Sequence, residues 1–375
     1  MTLDDFFLLH KNKKFPELDG LRAWAIVMVV MAHIGAWIDN IAAESPFQTL
    51  TIRMIKFITY YFPFVGSVGG GAGVDLFFLL SGFLIFMTLY SKNISLVSFF
   101  SKRFQRLLPV HVILALSFLV PLSFVNIFLN TFFLSEFLSD FPNVIPITWT
   151  LSYELLFYVL CSIWFIVLKK MSHVHSWSFF FGFSILLFLS KWFLTGPLES
   201  IGIKYVDMNR FMAFIFGVGI AKLYFSHKDK WLQYEIFFRY TFIPGLVMVQ
   251  IFKYSYNLVF NELAYGMIAT SLSYLFLDMG LFMILASQLT SKDSMAKIFF
   301  RNRYARILGM ISYSMYLFHY TFALPMTKNI LSVISAIPTR MLFFIPVSFL
   351  ITIVFSVVLF HYLEKPYFLH RKSGK

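Results

Sequence analysis

Residues 22–38 read RAWAIVMVVMAHIGAWI, a run in which Arg22 is the one charged residue and His33 the one other ionisable residue. An α-helix needs about 17–25 mostly apolar residues to cross a hydrocarbon core of about 30 Å. The run therefore predicts a transmembrane helix that begins at an arginine and carries a histidine beyond its midpoint.

Runs of this kind recur along the whole chain. Hydrophobic residues make up 59% of the 375 residues and charged residues 13%, whereas soluble domains carry about 25% charged residues. The pattern excludes an ordinary soluble fold and predicts an all-α polytopic membrane protein with about ten transmembrane helices in one domain, 1–375. The predicted spans are 22–38, 73–90, 108–129, 149–168, 177–195, 209–225, 236–252, 263–289, 307–327 and 341–362.

The distribution of Lys and Arg predicts the orientation of these spans. Most of them fall on one set of alternate loops, and cytoplasmic loops are the ones enriched in positive charge. We therefore expect both termini in the cytoplasm, as an N-terminal segment 1–21 and a tail 363–375. Topology then accounts for the net charge of +13 without nucleic acid. The segment 39–72 is predicted to be interfacial or re-entrant on the outer side.

Arg22 and His33 are predicted to share one face of the first span. Eleven residues of α-helix separate them by about 16.5 Å and turn them to within about 20° of each other. An ionisable group inside a membrane span is costly, so it is a functional hypothesis by default. The alternative is a core histidine that hydrogen bonds a neighbouring helix.

Two carboxylates stand near the predicted outer ends of spans. Asp75 follows the glycine-rich stretch 69–73, and Glu154 ends the sequence Trp149-Thr-Leu-Ser152-Tyr-Glu154. Such groups are suited to orient an imidazole or to bind an acceptor hydroxyl. The glycines lack the Lys and Ser/Thr of phosphate loops and more simply permit close helix approach. Asp278, deep in the eighth span, has no partner assigned from the sequence.

Two further patterns carry polar groups. Arg103 and Arg106 lie three residues apart, so their guanidinium groups share a helix face and suit phosphate, although positive-inside topology explains them too. Ser312, Tyr316 and His319 form a polar stripe on the ninth span, which predicts a face towards other helices or a cavity. The single cysteine, Cys161, fits no metal-ligand spacing, and no metal is expected.

Taken in order, these motifs closely resemble acyltransferase family 3, the integral-membrane acyltransferases that modify bacterial surface glycans. The resemblance covers nearly the whole chain, with Trp-Thr-Leu where the family usually has Trp-Ser-Leu. The matching motifs are Leu18-Asp19-Gly20-Leu21-Arg22 followed by His33, Gly73-Val74-Asp75 through Ser81-Gly82-Phe83, Arg103-Phe-Gln-Arg106-Leu-Leu-Pro109, Trp149 through Glu154, Ile311 through His319, and Leu363-Glu364-Lys365-Pro366.

The resemblance implies a multi-pass enzyme of the bacterial inner membrane. It would take an acyl group, usually acetyl, from cytoplasmic acetyl-CoA and deliver it to a hydroxyl of a surface polysaccharide such as lipopolysaccharide O-antigen, or of a lipid-linked glycan. Some relatives carry an additional extracytoplasmic hydrolase-like domain, and the end of this chain soon after its last span suggests a stand-alone form. The residue roles that we expect are catalysis by His33, Arg22, Asp75 and Glu154, donor binding by Arg103 and Arg106, and substrate binding by Trp149, Ser152, Tyr316 and His319.

Two alternatives stay open at this point. His33 can act as a general base on the acceptor hydroxyl, with Asp75 or Glu154 holding its ring, or it can itself become acylated before the acceptor arrives. A secondary transporter or lipid-linked glycan flippase would also have about ten spans with buried charges. Inverted-repeat halves would favour a transporter, and inspection of the sequence finds none.

Overall fold

The structure is a computed structural model of the whole chain, and it describes the following residues: 3–9, 14–62, 65–66, 71–91, 95–117, 124–138, 140–141, 143–168, 182, 185–186, 197, 200, 210–226, 228–261, 266–290 and 293–373. Helices dominate these residues. They are α1 (Leu3–Phe6), α2 (Glu17–Ala43), α3 (Leu50–Tyr61), α4 (Gly71–Ser91), α5 (Leu96–Leu116), α6 (Phe124–Thr131), α7 (Trp149–Leu168), α8 (Phe211–Ser226), α9 (Lys228–Gln233), α10 (Glu235–Tyr240), α11 (Phe242–Asn261), α12 (Gly266–Gln288), α13 (Met295–Arg301), α14 (Arg303–Met310), α15 (Ser312–Phe318), α16 (Leu324–Leu331), α17 (Ile337–Leu359) and α18 (Lys365–Ser373).

The predicted all-helical class with several membrane-spanning helices is confirmed. Within the described ranges, five helices are long and apolar enough to cross a membrane, or six if a bent pair counts as one span. Two shorter apolar helices cover Phe211–Phe225 and Phe242–Lys253. The five helices are Glu17–Ala43, Gly71–Leu89, Pro146–Ile163, Ser271–Gln288 and Ile337–Leu369, and the bent pair is Arg303–Met310 with Ser312–Leu331.

Two predicted spans differ from what the structure shows, and the fifth, 177–195, lies almost wholly outside the described residues. The third was expected at 108–129, but α5 begins at Leu96, where Ser95 caps its N-terminus by accepting from the Ser98 N–H, and it ends at Leu116. The ninth is bent by 53° between α14 and α15. The arginine-bearing stretch after Ser95 is thus itself helical, which brings Arg103 and Arg106 onto the same helix as the apolar run.

The segment expected to be interfacial contains the amphipathic helix α3. Its side chains Ile52 and Ile55 are buried against the bundle, whereas Met54 and Phe57 on the opposite side are more than half exposed. This two-sided pattern fits a helix that lies along the bundle surface, and the interfacial or re-entrant position of 39–72 on the outer side stays a prediction.

The centre of the bundle is formed where α4 packs closely on α8. Gly82 of α4 lies against the carbonyl of Phe214, and Gly217 of α8 lies against the carbonyl of Leu79. A Cβ atom at either glycine would overlap the facing backbone, so the two helices touch backbone to backbone. Helix α4 also contacts α2 and α7, and it therefore carries its polar residues into the middle of the bundle.

A π-helical turn over His319–Ala323 joins α15 to α16. His319 is the first residue of this wider turn, and its side chain is fully buried. Single π turns inside α-helical segments occur often at functional sites, and here the turn marks the residue that faces α2.

Candidate active site

Two histidines from distant parts of the chain meet in the interior. His33 of α2 and His319 at the end of α15 are joined by a hydrogen bond of 2.9 Å between His33 Nδ1 and His319 Nε2. Their ring centroids are 5.0 Å apart, and the ring of Tyr320 lies 4.8 Å from that of His33. The three rings form one aromatic cluster around the His33 side chain.

The surroundings of His319 determine which nitrogen carries each proton. His319 Nδ1 lies 3.0 Å from the carbonyl oxygen of Met315, and a carbonyl can only accept, so Nδ1 carries the proton. In the neutral ring Nε2 then holds a lone pair, and His33 Nδ1 must donate to it. This leaves the lone pair of neutral His33 on Nε2, the nitrogen that faces away from His319.

The partner of His33 differs from the expectation. An Asp75 or Glu154 carboxylate was expected to hold the ring, whereas the structure places the His319 imidazole there. We had expected His319 to contact substrate. Instead its side chain is fully buried and contacts His33. A neutral imidazole orients the ring through a hydrogen bond, but it does not add the negative charge that a carboxylate would.

A cavity lined by both charged and apolar side chains, Arg22 among them, lies nearer to the start of α2. Its volume is about 60 Å³, room for on the order of four waters. Glu154 accepts hydrogen bonds in it from Ser81, at 3.2 Å, and from the Tyr158 hydroxyl. The side chains that line it are Arg22, Val74, Phe77, Phe78, Ser81, Arg106, Leu107, Thr150, Leu151, Glu154, Tyr158, Ser312, Tyr313 and Tyr316.

The cavity has arginine on two sides. Arg22 interacts electrostatically with Arg106 and Arg103, which repel it, and with Asp19 and Glu154, which attract it. The paired arginines of α5 separate in the structure: Arg106 lines the cavity, while the Arg103 guanidinium lies about 5.5 Å from the ring centres of Phe99 and Tyr158. Of the α5 pair, Arg106 is thus the arginine that faces the cavity.

Tyr316 lies between the cavity and the histidines. Its hydroxyl donates to the Ile147 carbonyl at 2.8 Å and accepts from Thr150 at 2.9 Å, and its ring is 6.0 Å from that of His319. With Ser312 also buried, the predicted inward polar stripe of this helix is confirmed. Tyr316 is thereby the side chain that links the two polar regions.

The residues at the start of α7 do not all face the cavity. Trp149 stacks edge-on with Tyr153 at 5.4 Å, and Ser152 is fully buried with no hydrogen-bond partner for its hydroxyl among the described atoms. Neither residue lines the cavity that Glu154 lines. The substrate-binding roles expected for Trp149 and Ser152 and the catalytic role expected for Glu154 stay predictions.

Asp75 pairs with Arg210, a residue to which the sequence patterns assign no role. Arg210 Nη1 lies 3.4 Å from the fully buried Asp75 carboxylate, and Nη2 donates to the Tyr274 hydroxyl at 2.9 Å. Asp278, left without a partner by the sequence, interacts electrostatically with Asp75 and Arg210. The sequence signal for this cluster was weak, because an arginine just before an apolar helix is also common at the ordinary boundary of a membrane span.

Glu364 is a second residue with no role assigned from the sequence. It is buried in the last motif, accepts a hydrogen bond from Ser314 at 2.5 Å, and interacts electrostatically with Arg106 and Arg22. The motif Leu363-Glu364-Lys365-Pro366 thus places a buried carboxyl group near the arginines of the cavity.

Comparison with known proteins identifies a family over most of the chain and individual relatives over about a third of it or less. A family model described as an acyltransferase domain matches residues 15–361. The chain is 31% identical over 105 residues to the peptidoglycan O-acetyltransferase OatA of Listeria monocytogenes, and 30% identical over 118 residues to the O-acetyltransferase OatA of Staphylococcus aureus. A putative peptidoglycan O-acetyltransferase of Bacillus subtilis, YrhL, is 32% identical over 121 residues.

These pairwise matches are short compared with the proteins involved. They cover 27%, 29% and 30% of this chain, and 12%, 15% and 15% of the three relatives in the same order. No solved structure matches the chain. The family thus rests on the match over residues 15–361, which contains the residues placed in the site above except Glu364.

Proposed function

Because the chain belongs to acyltransferase family 3, we propose that it is a membrane enzyme that moves an acyl group, usually acetyl, from acyl-CoA to a hydroxyl of a cell-surface polysaccharide. The proposal assigns the steps of the family's reaction to residues that the fold brings together. The hydroxyl is the nucleophile, the thioester is the acyl donor, and CoA thiol is the second product.

The observation that carries the proposal is the His33–His319 hydrogen bond. Neutral His33 has its lone pair on Nε2, so this nitrogen can take the proton of an acceptor hydroxyl. The oxygen then attacks the thioester carbonyl, the C–S bond breaks, and the imidazolium returns the proton to the CoA sulfur. His319 holds the ring of His33 in the productive tautomer throughout.

The arginines support binding of the donor at the other end of α2. Arg22 and Arg106 line the cavity, and charge-assisted contacts from guanidinium groups suit phosphates. Helical rise places His33 about 16.5 Å beyond Arg22. The pantetheine arm of acyl-CoA would thread from the cavity past Tyr316 towards His33, with Glu154 and Tyr158 beside its path.

The topology belongs to the same proposal. About ten spans with both termini in the cytoplasm would put the arginine cavity on the cytoplasmic side, where acetyl-CoA is made, and the end of α2 and the start of α7 on the outer side. The membrane would then be the bacterial inner membrane. The excess of Lys and Arg on one set of loops supports this orientation.

The acceptor has two candidate glycans. Lipopolysaccharide O-antigen is expected from the resemblance of the motifs, and peptidoglycan is suggested by the names of two of the relatives. Both present sugar hydroxyls on the outer side of the inner membrane, and O-acetylation of either gives an alkali-labile ester.

Mass spectrometry of the surface glycans tests the proposal. Peptidoglycan and lipopolysaccharide would be compared from wild-type cells, a deletion strain and the deletion complemented with His33→Ala, before and after mild alkali. We expect an alkali-labile increment of one acyl group on one of these glycans in the wild type alone. Identical spectra from wild-type and deletion cells would contradict the proposed acceptor class, and a restored increment with His33→Ala would contradict the mechanism.

A further inference from the structure

An apolar groove opens on the surface of the bundle, on a face of α2 other than that of the arginine cavity. It lies between Trp24 of α2, the chain at Phe62 and Val65, the α10–α11 region and α13, and its volume is about 610 Å³. Sites for small molecules range over about 300–1,000 Å³, so the groove is large enough for a ligand. Its lining is Trp24, Phe62, Val65, Arg239, Tyr240, Phe242, Ile243, Leu246, Ser294, Met295, Ala296, Phe299 and Phe300.

The walls of the groove are exposed and its floor is buried. Ile243, Met295 and Phe299 are 70%, 86% and 66% exposed, whereas Phe300 is 4% exposed. Side chains of this kind on a membrane protein face hydrocarbon rather than water. A flexible alkyl chain fits such a groove better than a polar molecule would, since the lining offers almost no hydrogen bonds along its length.

One end of the groove has a positive charge. Arg239 is the one charged side chain among the lining residues that the structure describes. Its Nη2 donates to the Asp293 backbone carbonyl over a long 3.5 Å, and the Asp293 carboxylate is paired with Arg301 at 2.6 Å. Ser294, next in the chain, lines the same end, and its hydroxyl oxygen accepts from the Lys297 N–H at 3.2 Å.

We propose that the groove is a binding site for one anionic membrane phospholipid, with an acyl chain along Ile243, Leu246 and Phe299 and the phosphate at Arg239 and Ser294. Charge complementarity and the apolar lining select this occupant, because the chain needs hydrocarbon contact and the phosphate needs a guanidinium. The inference uses none of the residues placed in the active site and does not depend on the proposed function.

Retention of phosphatidylglycerol by the purified full-length chain tests the site. Native mass spectrometry in detergent, with equal amounts of phosphatidylglycerol and phosphatidylethanolamine added, would count the lipids bound to the wild type, Arg239→Gln and Ile243→Trp. Arg303→Gln is the matched control, because this arginine pairs with Asp4 at 2.9 Å and does not line the groove.

We expect one phosphatidylglycerol on the wild type and on Arg303→Gln. Arg239→Gln should lower the preference for phosphatidylglycerol over phosphatidylethanolamine about fivefold, which is the contribution of one basic side chain to binding an anionic lipid. Ile243→Trp should fill the groove and release both lipids. If Ile243→Trp does not fold, Leu246→Phe takes its place as the groove-filling variant. Unchanged binding in Arg239→Gln and in the groove-filling variant, or a retained isoprenoid phosphate in place of the phospholipid, would overturn the proposal.

Discussion

The hydrogen bond between His33 and His319 sets the protonation of both rings. Met315 accepts from His319, His319 accepts from His33, and the lone pair of neutral His33 is left on Nε2. A series of hydrogen bonds of this kind fixes the orientation of the His33 ring while both imidazoles stay neutral. In the proposed mechanism His319 is therefore a positioning residue, whose effect on the reaction would be transmitted through His33.

Replacement of His319 should therefore lower kcat more than it changes KM. We expect His319→Ala to reduce kcat by about tenfold to a hundredfold, below the full value of general base catalysis, with the KM for acetyl-CoA within about twofold of wild type. His319→Gln should recover part of the rate, because its amide oxygen can accept from His33 Nδ1.

Steady-state kinetics of the purified chain measure these values, and His111 provides the control. It is a buried histidine that bonds the Asn130 carbonyl at 3.0 Å, far along the chain from His33, so His111→Gln reports the cost of losing a buried imidazole elsewhere. Equal kcat losses in His319→Gln, His319→Ala and His111→Gln would contradict the positioning role.

The two arginines of α5 should contribute unequally to donor binding. Arg106 lines the cavity, whereas Arg103 stacks on Phe99 and Tyr158. We expect Arg106→Ala to raise the KM for acetyl-CoA about tenfold or more, since hydrogen bonds to charged groups contribute about 1.5–3 kcal/mol. The effect of Arg103→Ala on this KM should be several times smaller. Initial rates against acetyl-CoA concentration give both values, and a larger effect at Arg103 would reverse the assignment.

At the scale of the helices, Arg210 joins elements that are far apart in the chain. It stands at the start of α8 and contacts Asp75 of α4, Trp149 of α7 and Tyr274 of α12. Burial of Asp75 in the bundle is compatible with its charge because the guanidinium lies against it. Four helices are thereby held in register near one end.

Loss of this guanidinium should destabilise the bundle. Breaking one side of a buried ion pair costs about 3–5 kcal/mol, so Arg210→Gln should lower the thermal unfolding midpoint clearly. Arg303→Gln, which breaks the half-exposed pair with Asp4, should cost less than about 1 kcal/mol.

Thermal unfolding in detergent, followed by circular dichroism, compares these variants. The double variant Asp75→Asn with Arg210→Gln should regain part of the loss, because it removes both charges together. A midpoint for Arg210→Gln equal to that of Arg303→Gln would show that the Arg210–Asp75 pair contributes little to stability.

At the scale of the whole molecule, the features that depend on local sequence patterns could be predicted, whereas the tertiary contacts could not. Apolar runs and their bounding charges were enough for the helical membrane class and for the inward stripe of Ser312, Tyr316 and His319, because these depend on residues within a few turns. The partner of His33 lies 286 residues away, and Arg210 lies 135 residues from Asp75. Periodicity carries no information about which helices are neighbours, so those pairs could not be predicted.

The same limit applies to the contacts of single site residues. Trp149 and Glu154 are close in sequence, but five residues of α-helix turn them about 140° away from each other. Glu154 consequently faces the cavity with Ser81 and Tyr158, while Trp149 lies under Arg210. Glu364 was quoted as part of a motif without a role, because its arginine partners are distant in sequence.

The central claim is that His33 carries out the acyl transfer, and the rate of the His33→Ala variant tests it most directly. Purified wild type and His33→Ala would be reconstituted in vesicles with radiolabelled acetyl-CoA and surface polysaccharide from deletion cells, after matching thermal unfolding midpoints confirm that both are folded. The account predicts at least about a hundredfold loss of label transferred, the lower end of what a positioned base contributes. Transfer by His33→Ala within about twofold of the wild-type rate would contradict it.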